Sequence, residues 1–310
     1  MDAHPPKPEE QPNDDGTARP TRQRLDQALV EAGLCETRSR AQALIMAGQA
    51  RLDGRRADKP GQWVKSGQVV TLDAVERYVS RGGYKLEKAL DSFAIPVAGR
   101  RCLDAGISTG GFTDCLLQRG AAHVTGVDVG LGQLAWSLRQ DSRVTLLEKT
   151  NIRHLTPDAM PHPLPTLAVV DVSFVSLAKV IQPVVALLAP DGDCQAEVVA
   201  LVKPQFELQD YVPRAEAKGF RGVVRDAALH ARILEGLLAS LAERLPGWRA
   251  ENLSFSPIQG PKGNTEFLLH MRQCAETDCE APEILSGEAI GRIVSESHQF
   301  FQGSGPQIKV

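Results

Sequence analysis

Asp104, Gly106, Ser108, Gly110 and Gly111 fall within one short stretch whose spacing suits a ligand carrying a nucleoside and a carboxylate. Apolar residues lead into Asp104, and a glycine-rich turn follows (Asp104-Ala-Gly-Ile-Ser-Thr-Gly-Gly111). Phe112, Cys115, Leu116 and Leu117 then recur at helical spacing as far as Gly120. Strand, glycine loop and helix in this order make the first crossover of a doubly wound sheet, whose ligands lie at the carboxyl ends of the strands. Glycine lets the backbone approach a ligand closely, and the helix amino terminus receives a carboxylate. The spacing is not the G-x-G-x-x-G of a nicotinamide site, and no Gly-Lys-Ser/Thr marks a phosphate loop. Asp-x-Gly-x-x-x-Gly-Gly has instead the form of an S-adenosylmethionine loop. Further on, His123-Val-Thr-Gly-Val-Asp128 reads as a second strand ending in an acid. That carboxylate can accept hydrogen bonds from both ribose hydroxyls of a nucleoside, or it can cap a helix near 133–138. Beside the glycine loop, the ribose reading is preferred.

Two lysines and two carboxylates occupy positions that call for a partner or a task. Asp171 closes the apolar run Leu167-Ala-Val-Val, and Lys203 closes Glu197-Val-Val-Ala-Leu-Val. Lys85 opens a helical pattern ahead of the first strand, and Glu266 follows Gly263-Asn-Thr at the start of the last. A charge that ends an otherwise apolar strand is costly unless paired. A pair of structural salt bridges would account for any two of the four. It accounts less well for all four meeting at one sheet edge, as the topology implies.

The elements that must position these residues follow from pattern. Strands at 102–104, 123–128, 144–147, 167–174 and 197–203 alternate with helices, the longest over about 226–245. Residues 248–257 and 265–272 read as a closing antiparallel hairpin. Continuous apolar strands belong to a parallel sheet covered on both faces, so an α/β, doubly wound Rossmann-like domain with a closing antiparallel strand is expected. Ahead of it lies a smaller α+β unit: helices at Arg24–Gly33 and Arg38–Gly48, a strand and turn at Ala50–Gly54, and a strand at Gln68–Leu72. The expected division is a disordered tail (1–20), a small domain (21–74), a linker (75–79), the α/β domain (80–273) and an acidic extension (274–310). Residues 1–20 are rich in Pro and acid, a composition that cannot build a core. Within the extension, 289–294 is expected to form a brief helix.

Composition sets the class. The 310 residues are 42% hydrophobic and 24% charged, as in a soluble globular protein. The net charge of −3 hides an uneven spread: ten Arg and Lys against six acids in 19–73, and two against six in 274–310. No apolar run approaches the ~18 residues of a membrane span, and the first residues lack a secretory pattern. Six scattered cysteines without C-x-x-C indicate neither zinc nor a disulfide framework. No metal site and a cytoplasmic setting are therefore expected.

The small unit, with Arg24-Leu-Asp, Thr37-Arg-Ser-Arg-Ala, the Gly48 stop and the Gly54 turn, resembles the RNA-binding module of ribosomal small-subunit protein four. Its basic residues Arg22, Arg24, Arg38, Arg40, Arg51, Arg55, Arg56, Lys59 and Lys65 then form an RNA-facing surface, read through phosphates and shape. A solvated basic face is the plainer reading, and the order of elements favours RNA. Arg-Leu-Asp recurs at 51–53, a tripeptide also used catalytically by pseudouridine synthases; both copies fit inside the small module, which argues against catalysis there.

The rest of the chain, in Ser80-Arg-Gly-Gly-Tyr-Lys85-Leu, Asp104–Asp114, Val127-Asp-Val-Gly-Leu-Gly-Gln-Leu, Asp171-Val-Ser-Phe, Val202-Lys-Pro-Gln-Phe-Glu and Gly263-Asn-Thr-Glu266, resembles the TlyA family of FtsJ-like RNA 2′-O-methyltransferases, also labelled haemolysin A. The resemblance runs from about 22 to 272. It implies S-adenosylmethionine as cofactor, ribosomal RNA (cytidine 2′-hydroxyls) as substrate, and a Lys-Asp-Lys-Glu tetrad at Lys85, Asp171, Lys203 and Glu266. It also implies cofactor contacts at Asp104 and Asp128. A ribose hydroxyl is a weak nucleophile, so the protein must orient an in-line attack and remove a proton. Lys203 is the expected base, with Lys85 nearby disfavouring its charged form, while Asp171 and Glu266 orient. The segment 207–225, with Lys218, Gly219, Arg221, Gly222 and Arg225, is read either as a mobile basic loop closing on RNA or as an ordinary surface loop. Two rival functions are an RNA-binding assembly factor without catalysis and a membrane-active haemolysin; the tetrad disfavours the first and the absence of an apolar span the second.

Overall fold

The computed structural model describes residues 22–73, 76–191, 195–214, 216–217, 220–274 and 285–303. The tail 1–20, Lys218 and Gly219, and 275–284 and 304–310 of the acidic extension lie outside the described residues. Two compact units divide near residue 75.

The first unit runs β1 (Gln23–Arg24), α1 (Leu25–Glu31), α2 (Arg38–Met46), β2 (Ala50–Leu52), β3 (Arg55–Arg56), β4 (Trp63–Val64) and β5 (Val70–Leu72). The Thr37 hydroxyl caps α2 by accepting from the Arg40 amide at 3.2 Å. Strands pair as β1–β4 and as β3–β2–β5. Leu25, Leu29, Ala41, Ile45 and Ala50 form its core. Beneath the basic face lies Asp26, wholly buried, which accepts from Arg24 (3.0 and 3.1 Å), Arg38 (2.9 Å) and Gln42 (2.7 Å). These partners hold its carboxyl well below the usual range, the Arg24 bond foremost. Arg51 is likewise committed, to Asp73 at 2.8 Å.

The second unit opens with α3 (Gly82–Ser92), then β6 (Arg101–Ala105), α4 (Gly111–Gln118), β7 (His123–Val127), the one-turn α5 (Trp136–Arg139) and β8 (Val144–Leu147). There follow β9 (Leu167–Val170), α6 (Ile181–Val185), β10 (Glu197–Val202), α7 (Pro204–Tyr211), α8 (Ala227–Arg244), β11 (Trp248–Phe255), β12 (Phe267–Gln273) and α9 (Gly287–Gln302). The seven strands lie in the order β11-β12-β10-β9-β6-β7-β8. Only β12 runs against its neighbours. Successive side chains leave opposite faces of a strand, and the core divides accordingly. Leu103, Ala105, Ala168, Val170, Ala200 and Val202 pack with α6, α8 and α9. Cys102, Leu167, Val169, Val199 and Leu201 pack with α3, α4 and α5.

Three boundaries differ from the sequence reading. Tyr78, expected in a linker, is buried in the second unit's core, and the Val79 amide donates to Asp114 at 2.8 Å. Pro204, suited to the first turn of a helix, starts α7 where a loop was expected from 207. Glu207 is buried there and accepts from the Ser176 hydroxyl at 2.6 Å and the Leu177 amide at 2.7 Å. The brief helix of the extension is the sixteen-residue α9, capped by Ser286. Leu285, Ile290 and Val294 belong to the sheet's own core, so the unit continues past 273.

Candidate active site

Strand order reverses between β6 and β9, and a doubly wound sheet opens its crevice at such a point. The loop after β6 requires glycine there. Gly106 has φ +94°, and a Cβ on it would sit 2.6 Å from the Asp171 carbonyl oxygen at the end of β9. Gly111 lets α3 and α4 touch, since its Cβ would lie 2.9 Å from the Gly83 nitrogen. Two cavities meet along this line. One, of about 670 Å³, is lined by Gly106, Ser108, Gly111, Lys85, Asp171, Lys203 and Glu266 among others. The second, of about 500 Å³, shares Gly106, Ser108 and Asp171 and adds Asp128, Asn151 and Ile152.

All four charged residues therefore face one cavity, and they do so as two ion pairs. Lys85 Nζ lies 2.5 Å from Glu266 Oε2. Lys203 Nζ lies 2.6 Å from Asp171 Oδ1 and donates to Ser173 Oγ at 2.8 Å. Glu266 is 1% exposed, and burial raises its pKa against the opposing pull of Lys85 and Lys203; Asp171 adds to the rise. The four charges thus feel one another and balance as two and two. Asp171 follows β9 and Glu266 precedes β12, the two strands that flank β10, and Lys203 follows β10 between them.

Asp128 holds the cofactor-type loop rather than a helix end: it accepts from the Ser108 amide at 2.8 Å and the Gly130 amide at 2.7 Å. Each of its oxygens keeps a lone pair for a further donor. Asp104 and Gly110, expected to touch a cofactor, line neither cavity. Asp104 is wholly buried under the loop, with Oδ2 accepting from the Thr113 hydroxyl at 2.7 Å. Burial lifts its pKa to about 7, and Asp171 and Asp128 add to the effect. Its Oδ1 has no hydrogen-bond partner among the described residues, so a ligand bringing a cation or donor to this loop would relieve a real electrostatic cost. Gly110, with φ +97°, turns the chain into α4 against Leu134 and Leu138.

Sequence reasoning missed several residues at this edge. Residues 171–174 were read as strand, but β9 ends at Val170, and Ser173 and Phe174 line the cavity. Phe174 has φ +66° and is 90% exposed, with its ring 5.2 Å from that of Phe206. A phenylalanine after an apolar strand carries no signal that it turns outward. Asn264, within the quoted Gly263-Asn-Thr-Glu266, is buried; it accepts from the Val224 amide and donates to the Gly222 and Pro261 carbonyls, joining the 220–225 segment to the cavity wall. In the first unit, Arg22, Arg40, Arg55, Arg56 and Lys59 are exposed, whereas Arg24 and Arg38 are engaged by Asp26.

A cavity at the switch point, an acid at the end of β7, a helix amino terminus and an unsatisfied buried carboxylate oxygen fit S-adenosylmethionine. The fold and site are those of an S-adenosylmethionine-dependent methyltransferase. Residues 78–273 match the model of the FtsJ-like methyltransferases, and 23–70 that of the S4 domain. The chain is 46% identical over 277 residues to the 16S/23S rRNA (cytidine-2′-O)-methyltransferase TlyA of Mycobacterium tuberculosis, covering 89% of this chain and 98% of that one. It is 38% identical over 248 residues to hemolysin A of Brachyspira hyodysenteriae, covering 80% and 98%. A solved structure from Streptococcus thermophilus, provisionally named a hemolysin, superimposes with a TM-score of 0.65 at 39% identity, covering 92% and 98%. The chain belongs to the TlyA family of FtsJ-like methyltransferases. No helix among the described residues is long and apolar enough to cross a membrane.

Proposed function

We propose that this protein methylates ribose 2′-hydroxyls of ribosomal RNA, at cytidine, in the cytoplasm. The observation that carries the reading is the convergence of Lys85–Glu266 and Lys203–Asp171 on one cavity beside the glycine loop. S-adenosylmethionine, when bound, supplies an activated methyl group. Asp128 would accept from its ribose, Gly106, Ser108, Gly110 and Gly111 would shape the loop around it, and Asp104, beneath the loop, would act on its positive charge without touching it.

Lys203 would orient the attacking oxygen and stabilise the negative charge that develops on it. It can take the hydroxyl proton only as an amine, so its own proton must pass to Asp171, 2.6 Å away. The pair, rather than the lysine alone, would then serve as the base. Lys85, held by Glu266, would fix the ribose from the opposite wall. In the first unit Arg22, Arg40, Arg55, Arg56 and Lys59 would contact phosphates, while Arg24 and Arg38 support the fold through Asp26.

The test is transfer of tritium from labelled S-adenosylmethionine to small subunits, large subunits and free ribosomal RNA, with Lys203→Ala alongside. Label at a cytidine 2′-oxygen, absent in the variant, is the expected result. Cofactor binding without transfer to any of these substrates would instead support the non-catalytic assembly-factor reading.

A further inference from the structure

The helix α9 lies beyond the residues that match the methyltransferase model, which end at 273. Nothing in the chemistry above uses it. Its inner face is buried in the sheet's core through Ile290 and Val294. Its last turn brings Phe300 and Phe301 against Phe255, with ring centroids 5.4 and 6.3 Å away. Phe255 ends β11 directly opposite Phe267 on β12, and the next amide, that of Ser256, donates to the Glu266 carbonyl at 2.8 Å. The aromatic cluster is therefore attached to the segment that carries Glu266.

A cation from α3 completes the cluster. Lys88 Nζ lies 3.4 Å from the centroid of the Phe255 ring and 5.9 Å from that of Phe300. Residues three apart share a helix face, so Lys85 and Lys88 reach the same strand pair from adjacent turns. Lys85 does so through the Glu266 carboxylate, and Lys88 through two aromatic faces. The first tie must loosen if its charges shift during turnover. The second forms no ion pair among the described residues and need not change. Glu296 on α9 adds a favourable charge to Lys88, whose ammonium burial pulls down to about 8.

We propose that Lys88, clamped between Phe255 and Phe300, is a positioning residue that keeps Lys85 in register with Glu266, and that α9 serves as the outer jaw of this clamp. The kinetic side of the proposal rests on the methyl-transfer reading above; the structural side does not. A desolvated cation–π contact is strong enough to shift a catalytic geometry measurably.

The experiment compares Lys88→Met, Lys88→Arg and Phe300→Leu in the full chain, by steady-state kinetics and by amide hydrogen exchange. Lys88→Met keeps the aliphatic stem and removes the charge, and Phe300→Leu keeps burial and removes the ring. Both should lower kcat on the order of tenfold, with KM for S-adenosylmethionine unchanged. Exchange should rise in 82–92 and 256–266 and stay level in 101–127. Lys88→Arg should stay within about twofold of the parent, and the Met/Leu double variant should be no worse than the poorer single. Full kcat in Lys88→Met, or a loss in Lys88→Arg equal to that in Lys88→Met, would overturn the proposal. If the parent itself transferred no methyl group, exchange would decide alone. Unaltered exchange over 82–92 in Lys88→Met would then reject the clamp.

Discussion

Replacing Glu266 by Gln isolates the charge at the centre of the cavity. The two side chains have nearly the same shape, and Gly260 leaves room for either, since its own Cβ would sit 2.1 Å from Glu266 Oε1. What is lost is the counter-charge of Lys85, whose side chain is only 12% exposed while that of Glu266 is 1% exposed. Losing a partner outright in such a place costs about 3–5 kcal/mol. Here the amide oxygen still accepts, so the loss is that between an ion pair and a bond to a neutral acceptor, about 1–1.5 kcal/mol. If Lys85 holds the ribose in the transition state, kcat falls about 5- to 13-fold, while affinity for S-adenosylmethionine changes little. The same residue makes a pH prediction. Burial raises the Glu266 pKa, so the parent enzyme should lose kcat on acidification before ordinary carboxylates titrate, and Glu266→Gln should lack that limb. Stability runs the other way: a carboxyl whose folded pKa is raised binds its proton more tightly in the folded state, so this group adds stability as pH falls through that value. The assay is methyl transfer from tritiated cofactor between pH 5 and 9, with thermal unfolding in parallel. A folded Glu266→Gln enzyme with more than half the parent kcat, and the same acid limb, would refute the reasoning.

Three further outcomes follow from the geometry. Gly106→Ala should abolish measurable cofactor binding by calorimetry, because a Cβ there would clash with the Asp171 carbonyl and the backbone has φ +94°. Asp26→Asn should lower the unfolding midpoint of the first unit by about 5 °C or more. The Asp26 carboxyl is held below its ordinary range, so its stabilisation is present above the unfolded pKa and is lost on acidification below it, which denaturation of the full chain at pH 7 and pH 3 would reveal. Arg40→Ala and Arg55→Ala should each weaken binding to ribosomal RNA and flatten the salt dependence by about 0.7–0.9 of a logarithmic unit. Both residues are exposed and form no ion pair among the described residues, so neither change should move the unfolding midpoint.

The Rossmann-like sheet was legible because strand burial is written in local composition. Runs such as Leu167–Val170 and Glu197–Val202 are apolar on both faces, which only a covered parallel sheet requires. The glycine loop and Asp128 were legible for a related reason: close backbone approach and an acid at a strand end are constraints on residue type. Roles inside the loop were less so. Asp104 stands in the motif yet lies under the loop, and that depends on the turn at Gly106 and the seating of α4, not on spacing.

Pairing was beyond the sequence. The four charged residues could be named individually, but which lysine meets which carboxylate depends on Lys85 and Glu266 meeting across 181 positions. The basic face divides for the same reason. Arg24 and Arg38 look like Arg40 and Arg55 in the chain, and only folding sets the first two over Asp26. The extension past 273 shows the limit most plainly. Its apolar residues foretold a short helix, whereas its place in the core and its aromatic grip on Lys88, more than two hundred positions from Phe300, arise from tertiary contacts. Local chemistry sets which elements form and which residues can react; the partners that charge and hold those residues come from contacts distant in the chain, and these exist only once the sheet has closed.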